Sequence, residues 1–349
     1  MNVMFFLGAN SGSGFYSLYD DFARTDKDFL YLIKGGPGCG KSSFMRKIGS
    51  KAEELGYDVE YIICSGDPDS LDGIYIPALN IGLADATAPH IIEPELFGLN
   101  SCYVNLGEFC SRTDSEKIAQ YSKQYKQMYT LAYAYLHAAA SIKIVQIPQL
   151  ISENELKTAK KRAQSALRRE LGELRCTIKQ GNSQRRFIRG ISCKGEISLT
   201  DSVKILCKRI YSIDDRFGLA QIYLSEVAES ACSRGENAIL CPSPLCPDEL
   251  DAVILPEYSL GFVSASAVPV KNPWRHIRLD ALIPADRIKA HKAEIKQQER
   301  LYKELTDGAI GYLAKAKEYH DLLEAEYKPL VDFDALNEFT EGFINKLFQ

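Results

Sequence analysis

The chain is written twice, and that repetition limits its fold more than any single motif does. FFLGANSGSGFYSLYD (Phe5 to Asp20) returns as FIRGISCKGEISLTD (Phe187 to Asp201), matching at Phe, Gly, Gly, Ser-Leu and Asp with one residue deleted. DPDSLDGIYIPALNIGL (Asp67 to Leu83) returns as CPDELDAVILPEYSLGF (Cys246 to Phe262) at a constant offset of 179, which Gly56 and Gly235 share. Tyr125 and Tyr135-Leu136 return as Tyr302 and Tyr312-Leu313 at an offset of 177, and Pro148 returns as Pro329. Such self-similarity means that one structural unit is built and then built again. Two halves are expected, 1–182 and 183–349, meeting in the polar stretch Lys179 to Gln184. Each alternates short apolar runs with one helical segment and ends in long helical stretches, about Ser115 to Ser141 and Ala285 to Tyr327. The expected class is therefore α/β: a mainly parallel sheet duplicated in tandem, each half with an appended helical hairpin.

Within the first half, FLYLIKGGPGCGKSSFM (Phe29 to Met45) carries the strongest local signal. Phe29 to Ile33 is an apolar, aromatic and β-branched run that reads as a buried strand. Gly35-Gly36-Pro37-Gly38-Cys39-Gly40-Lys41-Ser42-Ser43 then fits the phosphate-binding pattern G-x-x-x-x-G-K-[ST]. Phe44, Ile48, Ala52 and Leu55 follow at helical spacing, closed by Gly56. Strand, glycine loop and helix in this order define a P-loop NTPase core. Glycines let backbone N–H groups converge on phosphate oxygens, and the helix N-terminus adds partial positive charge. Lys41 is expected on the β- and γ-phosphates of ATP, and the Ser42 hydroxyl on Mg²⁺.

Comparing the halves sorts the remaining candidates. At offset 178 or 179 the second half has IDDRFGLAQIYL (Ile213 to Leu224) in place of the glycine loop. Leu219 or Ala220 then stands at the lysine position, and Ala220 or Gln221 at the hydroxyl position. The apolar run Asn80 to Ala84 ends in Asp85, as a strand carrying a metal-holding carboxylate should; its counterpart is Ser264. Lysine and carboxylate are lost together, as a shared metal–phosphate role requires. Pro68, Asp69, Leu71 and Asp72 persist as Pro247, Asp248, Leu250 and Asp251, which points to a structural job such as an Asx turn. Asp67 does not persist (Cys246), so it is the candidate for positioning water or accepting a proton. His90 also lacks a counterpart and reads first as a loop histidine. Tyr121, Tyr125, Tyr129 and Tyr133 recur at helical spacing and read as a packing seam against the other half's helices, rather than a base-stacking platform. His137, His276, His291 and His320 show no ligand spacing.

Composition removes several classes of function. No run of 18 apolar residues exists, so no membrane span is expected. The opening MNVMFFLGAN lacks a basic region, and Phe5 to Leu7 reads as a strand. Ten cysteines without a signal segment suggest reduced thiols and a cytoplasmic location. Cys241 and Cys246 have no matching pair, so zinc is not expected. Lys157 to Arg189 holds eleven Lys and Arg against two Glu in a chain of net charge −4. That segment reads as a solvated linker helix before it reads as a nucleic-acid contact or a lid with Arg168 and Arg169 over phosphates.

Gly14 to Asp20 (GFYSLYD), GGPGCGKSS, Asp67 to Gly73 (DPDSLDG) and Asp85 to His90 (DATAPH) together resemble a family of bacterial two-P-loop ATPases, over most of the chain. Members of that family often keep an intact loop in both halves, so the degenerate second loop is a departure. The resemblance implies Lys41, Ser42 and Asp85 as nucleotide residues and implies no acceptor. Three functions follow: Mg²⁺-dependent ATP hydrolysis by the first half, phosphoryl transfer to a small molecule or nucleotide, or a nucleotide-gated binding module with slow turnover. In each, the halves are expected to form an internal pseudo-dimer.

Overall fold

The computed structural model describes residues 2–22, 27–89, 91–94, 96–144, 147, 149–172 and 181–349. His90, Pro148 and the first two residues of the expected boundary, 179 and 180, lie outside them. The first half runs β1 (Val3–Phe5), β2 (Gly8–Ser11), β3 (Gly14–Ser17), β4 (Phe29–Lys34), α1 (Lys41–Glu54), β5 (Glu60–Ile63), β6 (Leu71–Ile76), β7 (Ile81–Asp85), β8 (Ser101–Asn105), α2 (Glu116–Ile144) and α3 (Glu153–Leu171). The second runs β9 (Ser183–Arg185), β10 (Arg189–Ser192), β11 (Gly195–Ser198), α4 (Thr200–Leu206), β12 (Arg209–Ile213), α5 (Leu219–Ser233), β13 (Ala238–Pro242), β14 (Leu250–Leu255), β15 (Leu260–Ser264), β16 (Arg275–Ile277), α6 (Ala285–Ala290), α7 (Lys292–Tyr327) and α8 (Phe333–Leu347).

The chain is α/β, with two six-stranded sheets in the same strand order. One is β1-β5-β6-β7-β4-β8 and the other β9-β13-β14-β15-β12-β16. In each, only the third strand runs antiparallel to its neighbours. The physical reason is local. Pro77 and Pro256 open tight turns closed by left-handed Asn80 and Ser259, so β6–β7 and β14–β15 are hairpins rather than crossovers. Strand β4, between β7 and the edge strand β8, buries Leu32 and Ile33, and α1 buries Phe44, Met45, Ile48 and Ala52 on the face that meets the sheet.

The halves meet about a pseudo-two-fold. Phe6 and Phe187 donate their amides to each other's carbonyls, both at 2.9 Å, and both rings are fully buried. A residue that pairs with its own counterpart marks an isologous contact. This pairing, and the matching Leu18→Leu7 and Leu199→Ile188 hydrogen bonds, fix the offset there at 181. No residue is deleted between the two N-terminal motifs, contrary to the sequence match.

The helical ends also differ from expectation. Rather than folding back as a hairpin within its own half, α2 packs along α7 of the other half. The helices that follow are exchanged: α3 packs on α5, and α8 packs on α1. Length explains this. An α2 of 29 residues spans about 44 Å, carrying the chain past its own sheet and delivering α3 to the other. Small residues let α2 and α7 approach closely, with Ala132, Leu136 and Ala139 buried against Ala309 and Leu313. Along this seam the Tyr125 and Tyr129 rings meet edge-on and those of Tyr129 and Tyr133 at a tilt, Tyr125 lies 5.4 Å from the His320 ring, and the Tyr133 hydroxyl donates to Asn10 at 3.1 Å. These three tyrosines of the stripe are packing residues.

The basic stretch divides. Lys157, Lys160, Lys161, Arg162, Arg168 and Arg169 are exposed on α3, as a solvated helix requires, Arg175 and Lys179 lie outside the described residues, and the three arginines at its end are taken up by the fold. Arg186 is buried against Glu60, Arg189 binds Asp251 through two nitrogens, and Arg185 pairs with Asp21. Arg169 stands beside Tyr211 and Tyr223 in the second half, not over the glycine loop of the first. No helix among the described residues is long and apolar enough to cross a membrane. The nine described cysteines are all free thiols.

Candidate functional site

Strand register brings the first-half candidates to one edge. β4 and β7 lie side by side in parallel, with Ile33 opposite Asp85, so the loop after β4 and the carboxylate ending β7 emerge together. Gly38 and Gly40 hold φ of +71° and +77°, where a side chain is strained. A Cβ on Gly40 would also stand 2.9 Å from Leu336 Cδ2. Gly40 caps α1 without a side-chain hydrogen bond, so the amides of the first turn and the positive end of the helix dipole face the loop. The Cys39 thiol is buried, and burial pushes its pKa up, so it is a packing group rather than a nucleophile.

Lys41 folds back over this loop. Its Nζ donates to the carbonyls of Gly35 (2.9 Å) and Gly36 (3.0 Å) and lies 3.6 Å from Asp85 Oδ2. Asp85 Oδ1 accepts from the amide (2.9 Å) and hydroxyl (2.5 Å) of Thr87, which aims the other oxygen at the lysine. Ser42 Oγ accepts the Leu71 amide at 2.9 Å, fixing the hydroxyl beside the β6 end, while Ser43 points outward. Lys41, Ser42 and Asp85 thus converge on one loop of backbone donors. The donor set suits a divalent cation carried with phosphate: one hydroxyl and one carboxylate, hard oxygens that leave room for phosphate and water.

Asp67 is engaged differently. Its Oδ1 accepts the Asp69 amide and its Oδ2 the Ser70 hydroxyl, both at 3.2 Å, and Lys317 Nζ of α7 stands 3.4 Å from Oδ2. The turn closed by Asp67 is the structural device expected of Asp69 and Asp72. Asp69 instead reaches Lys194 at the surface, and Asp72 is buried. Lys317 and its helical neighbours His320, Asp321 and Glu324 were not legible as site residues, although His320-x3-Glu324 is an i, i+4 pair. The ligand atoms of His320, Asp321 and Glu324 lie within 4.8 Å of one another.

Comparison with protein-family models, with curated proteins and with solved structures finds no match. The site's own counterpart in the second half is therefore the informative reference. Ile213 lies opposite Ser264 as Ile33 lies opposite Asp85, but residues 214–219 stand where 34–40 do, a connection one residue shorter. Gln221 Oε1 accepts the Leu250 amide at 2.6 Å as Ser42 Oγ accepts that of Leu71, so the lysine and hydroxyl positions fall on Ala220 and Gln221. Asp215 fills the strand-end position from the loop side, accepting from Ser264 at 2.8 Å. Asp214 pairs with His276 at 2.6 Å. In the second half, then, carboxylates that pair with local partners stand at the strand ends.

One consequence is measurable. Burial pushes the Asp215 carboxyl up to about 6. The folded chain then holds this proton more tightly than the unfolded chain, so stability falls as pH rises from about 4 to 6 and stays lower above. Asp215→Asn, which keeps an oxygen for Ser264, is expected to be neutral at pH 4 and to stabilise by about 1–3 kcal/mol at pH 7. Chemical denaturation at the two pH values checks this, and an equal effect at both contradicts it.

Proposed function

We propose that the chain is a Mg²⁺-dependent P-loop NTPase that binds and hydrolyses ATP in its first half, with the second half as an internal pseudo-dimer partner. The observation that carries this reading is the convergence of Lys41, Ser42 and Asp85 on the left-handed glycine loop, against the loss of all of them from a second sheet of the same strand order. The loop amides and α1 N-terminus bind the phosphates. Lys41 exchanges the Gly35 and Gly36 carbonyls for β- and γ-phosphate oxygens. Ser42 and Asp85 would hold Mg²⁺, which supplies charge neutralisation at the phosphates. Asp67 is assigned to the attacking water, whose oxygen bonds to the γ-phosphorus as the bond to the ADP oxygen breaks, giving ADP, phosphate and a proton. Catalysis on such a site is mainly positioning and electrostatic stabilisation.

The test is phosphate release from ATP and from GTP, with and without Mg²⁺ and with and without a panel of small-molecule acceptors. Metal-dependent release without an acceptor is expected. Consumption of ATP only when an acceptor is present would instead identify a kinase, and tight binding without turnover a switch.

A further inference from the structure

One face of α7 spans the candidate site from the Asp67 turn to the glycine loop, and α7 is the helix that arrives from the other half. Lys317 Nζ lies 3.4 Å from Asp67 Oδ2. One turn on, His320 lies within the electrostatic reach of Lys41. The Glu324 carbonyl oxygen is 3.2 Å from where a Cβ on Gly38 would stand, and the Tyr327 ring is 3.8 Å from the same point on Gly36. Residues 317, 320, 324 and 327 follow the 3–4 spacing of a single helical face.

The second half shows what such a turn does when no phosphate is expected. Tyr125 and Tyr302, and Tyr135 and Tyr312, match at offset 177, which sets Lys143 of α2 opposite His320 of α7. Lys143 reaches into the second site, 2.7 Å from Glu249 and in the field of Asp215 and Asp251. Each long helix therefore carries a cation to the site of the half that it does not belong to. In the second site carboxylates neutralise that cation. In the first, Lys317 is shared between Asp67 and Asp321, both exchangeable carboxylates, and stays about a quarter exposed.

We propose that Lys317 is the charge-stabilising residue that the second half supplies to the terminal phosphate in the first-half site. The inference rests on the ATPase reading above. In it, Lys317 leaves Asp67 for a γ-phosphate oxygen when ATP occupies the loop. Its four-carbon stem gives the reach, since one helical turn of about 5 Å separates it from His320, which lies within the electrostatic reach of Lys41. The exchange has a second effect. Asp67 Oδ2, relieved of its ammonium partner, is open to the attacking water just as negative charge builds on the phosphate.

The test compares ADP with ADP plus aluminium fluoride, which imitates the transferring phosphoryl group, on the full chain. The unaltered chain is expected to bind ADP with fluoride at least 10-fold more tightly than ADP alone. Lys317→Met is expected to lose that advantage while holding ADP within about threefold. Asp67→Asn breaks the same ion pair but keeps the lysine, so it should retain the advantage and lose turnover. A purely structural ion pair would make the two variants alike in both readouts, which overturns the proposal. So does a Lys317→Met chain that keeps the advantage. If Lys317→Met does not fold, loss of the advantage in Asp67→Asn overturns it as well. Lys41→Ala separates the two levels: if it leaves ADP binding unchanged, the ATPase reading itself has failed, whereas Lys41 dependence with Lys317 indifference sinks only this inference.

Discussion

Lys41→Ala is expected to lower ATP turnover by roughly 10²–10³-fold or more, the effect of deleting one preorganised charge-stabilising donor, without unfolding the chain. Lys41 Nζ is held by two loop carbonyls and faces Asp85. Lys34 is the nearest alternative by sequence, but it is tied to the Ala86 carbonyl at 2.8 Å and to Glu93. Removing Lys41 leaves Asp85 facing the phosphates without its cation, so nucleotide affinity should fall together with turnover. The fold should be nearly indifferent, because Lys41 lies at the first turn of α1 and outside the packed face of Phe44, Ile48 and Ala52. Phosphate release and far-ultraviolet circular dichroism check both statements. Turnover within twofold of the unaltered chain contradicts the site assignment.

The largest effect on stability is expected elsewhere, at Arg186→Met, with a loss of about 3–5 kcal/mol. Arg186 is fully buried where the two halves meet. Its Nε donates to Glu60 Oε1 at 2.7 Å, and its Nη1 donates to the carbonyls of Asp21 (2.8 Å) and Arg185 (2.9 Å). Methionine fills much of the volume but strands the buried Glu60 carboxylate without this cation. The cost comes mostly from that stranded charge, so Arg186→Met with Glu60→Met should recover most of the loss. Urea unfolding of the single and double variants measures it. Simple additivity of two large losses would show that the pair does not act as a unit.

The duplication is legible in the sequence because residues return at a nearly constant offset, and the strand–glycine loop–helix order and the strand-end Asp85 because each is a short-range pattern, whereas the pairing of β7 with β4 is seen only in the structure. Strand register then follows from β4 lying between β7 and β8. The helical ends were not legible. Periodicity shows that Ser115 to Ser141 is a helix with an apolar seam, and it cannot show which sheet lies under the next helix. That is decided by helix length, which carries α3 and α8 across to opposite halves. For the same reason Lys317 was invisible: it is 276 positions from Lys41, on a helix assigned to the other half. The α3 part of the Lys157 to Arg189 charge run is the surface feature that its composition suggests, whereas sequence spacing does not reveal Asp21, Glu60 and Asp251 as the partners of Arg185, Arg186 and Arg189. Where one residue of each half meets its own counterpart, as at Phe6 and Phe187, the sequence match misplaced the alignment by one and the hydrogen bonds corrected it.

The central claim is one nucleotide site per chain, in the half that keeps its glycine loop. Calorimetric titration with a slowly hydrolysed ATP analogue and Mg²⁺ tests it most directly. The second half offers Asp214 and Asp215 where the first offers a lysine and glycine amides. A carboxylate about 4 Å from a triphosphate costs several kcal/mol at intermediate dielectric. A stoichiometry near one per chain is expected, with that single event abolished by Lys41→Ala. Two events of comparable affinity, or one event that survives Lys41→Ala, would contradict the account.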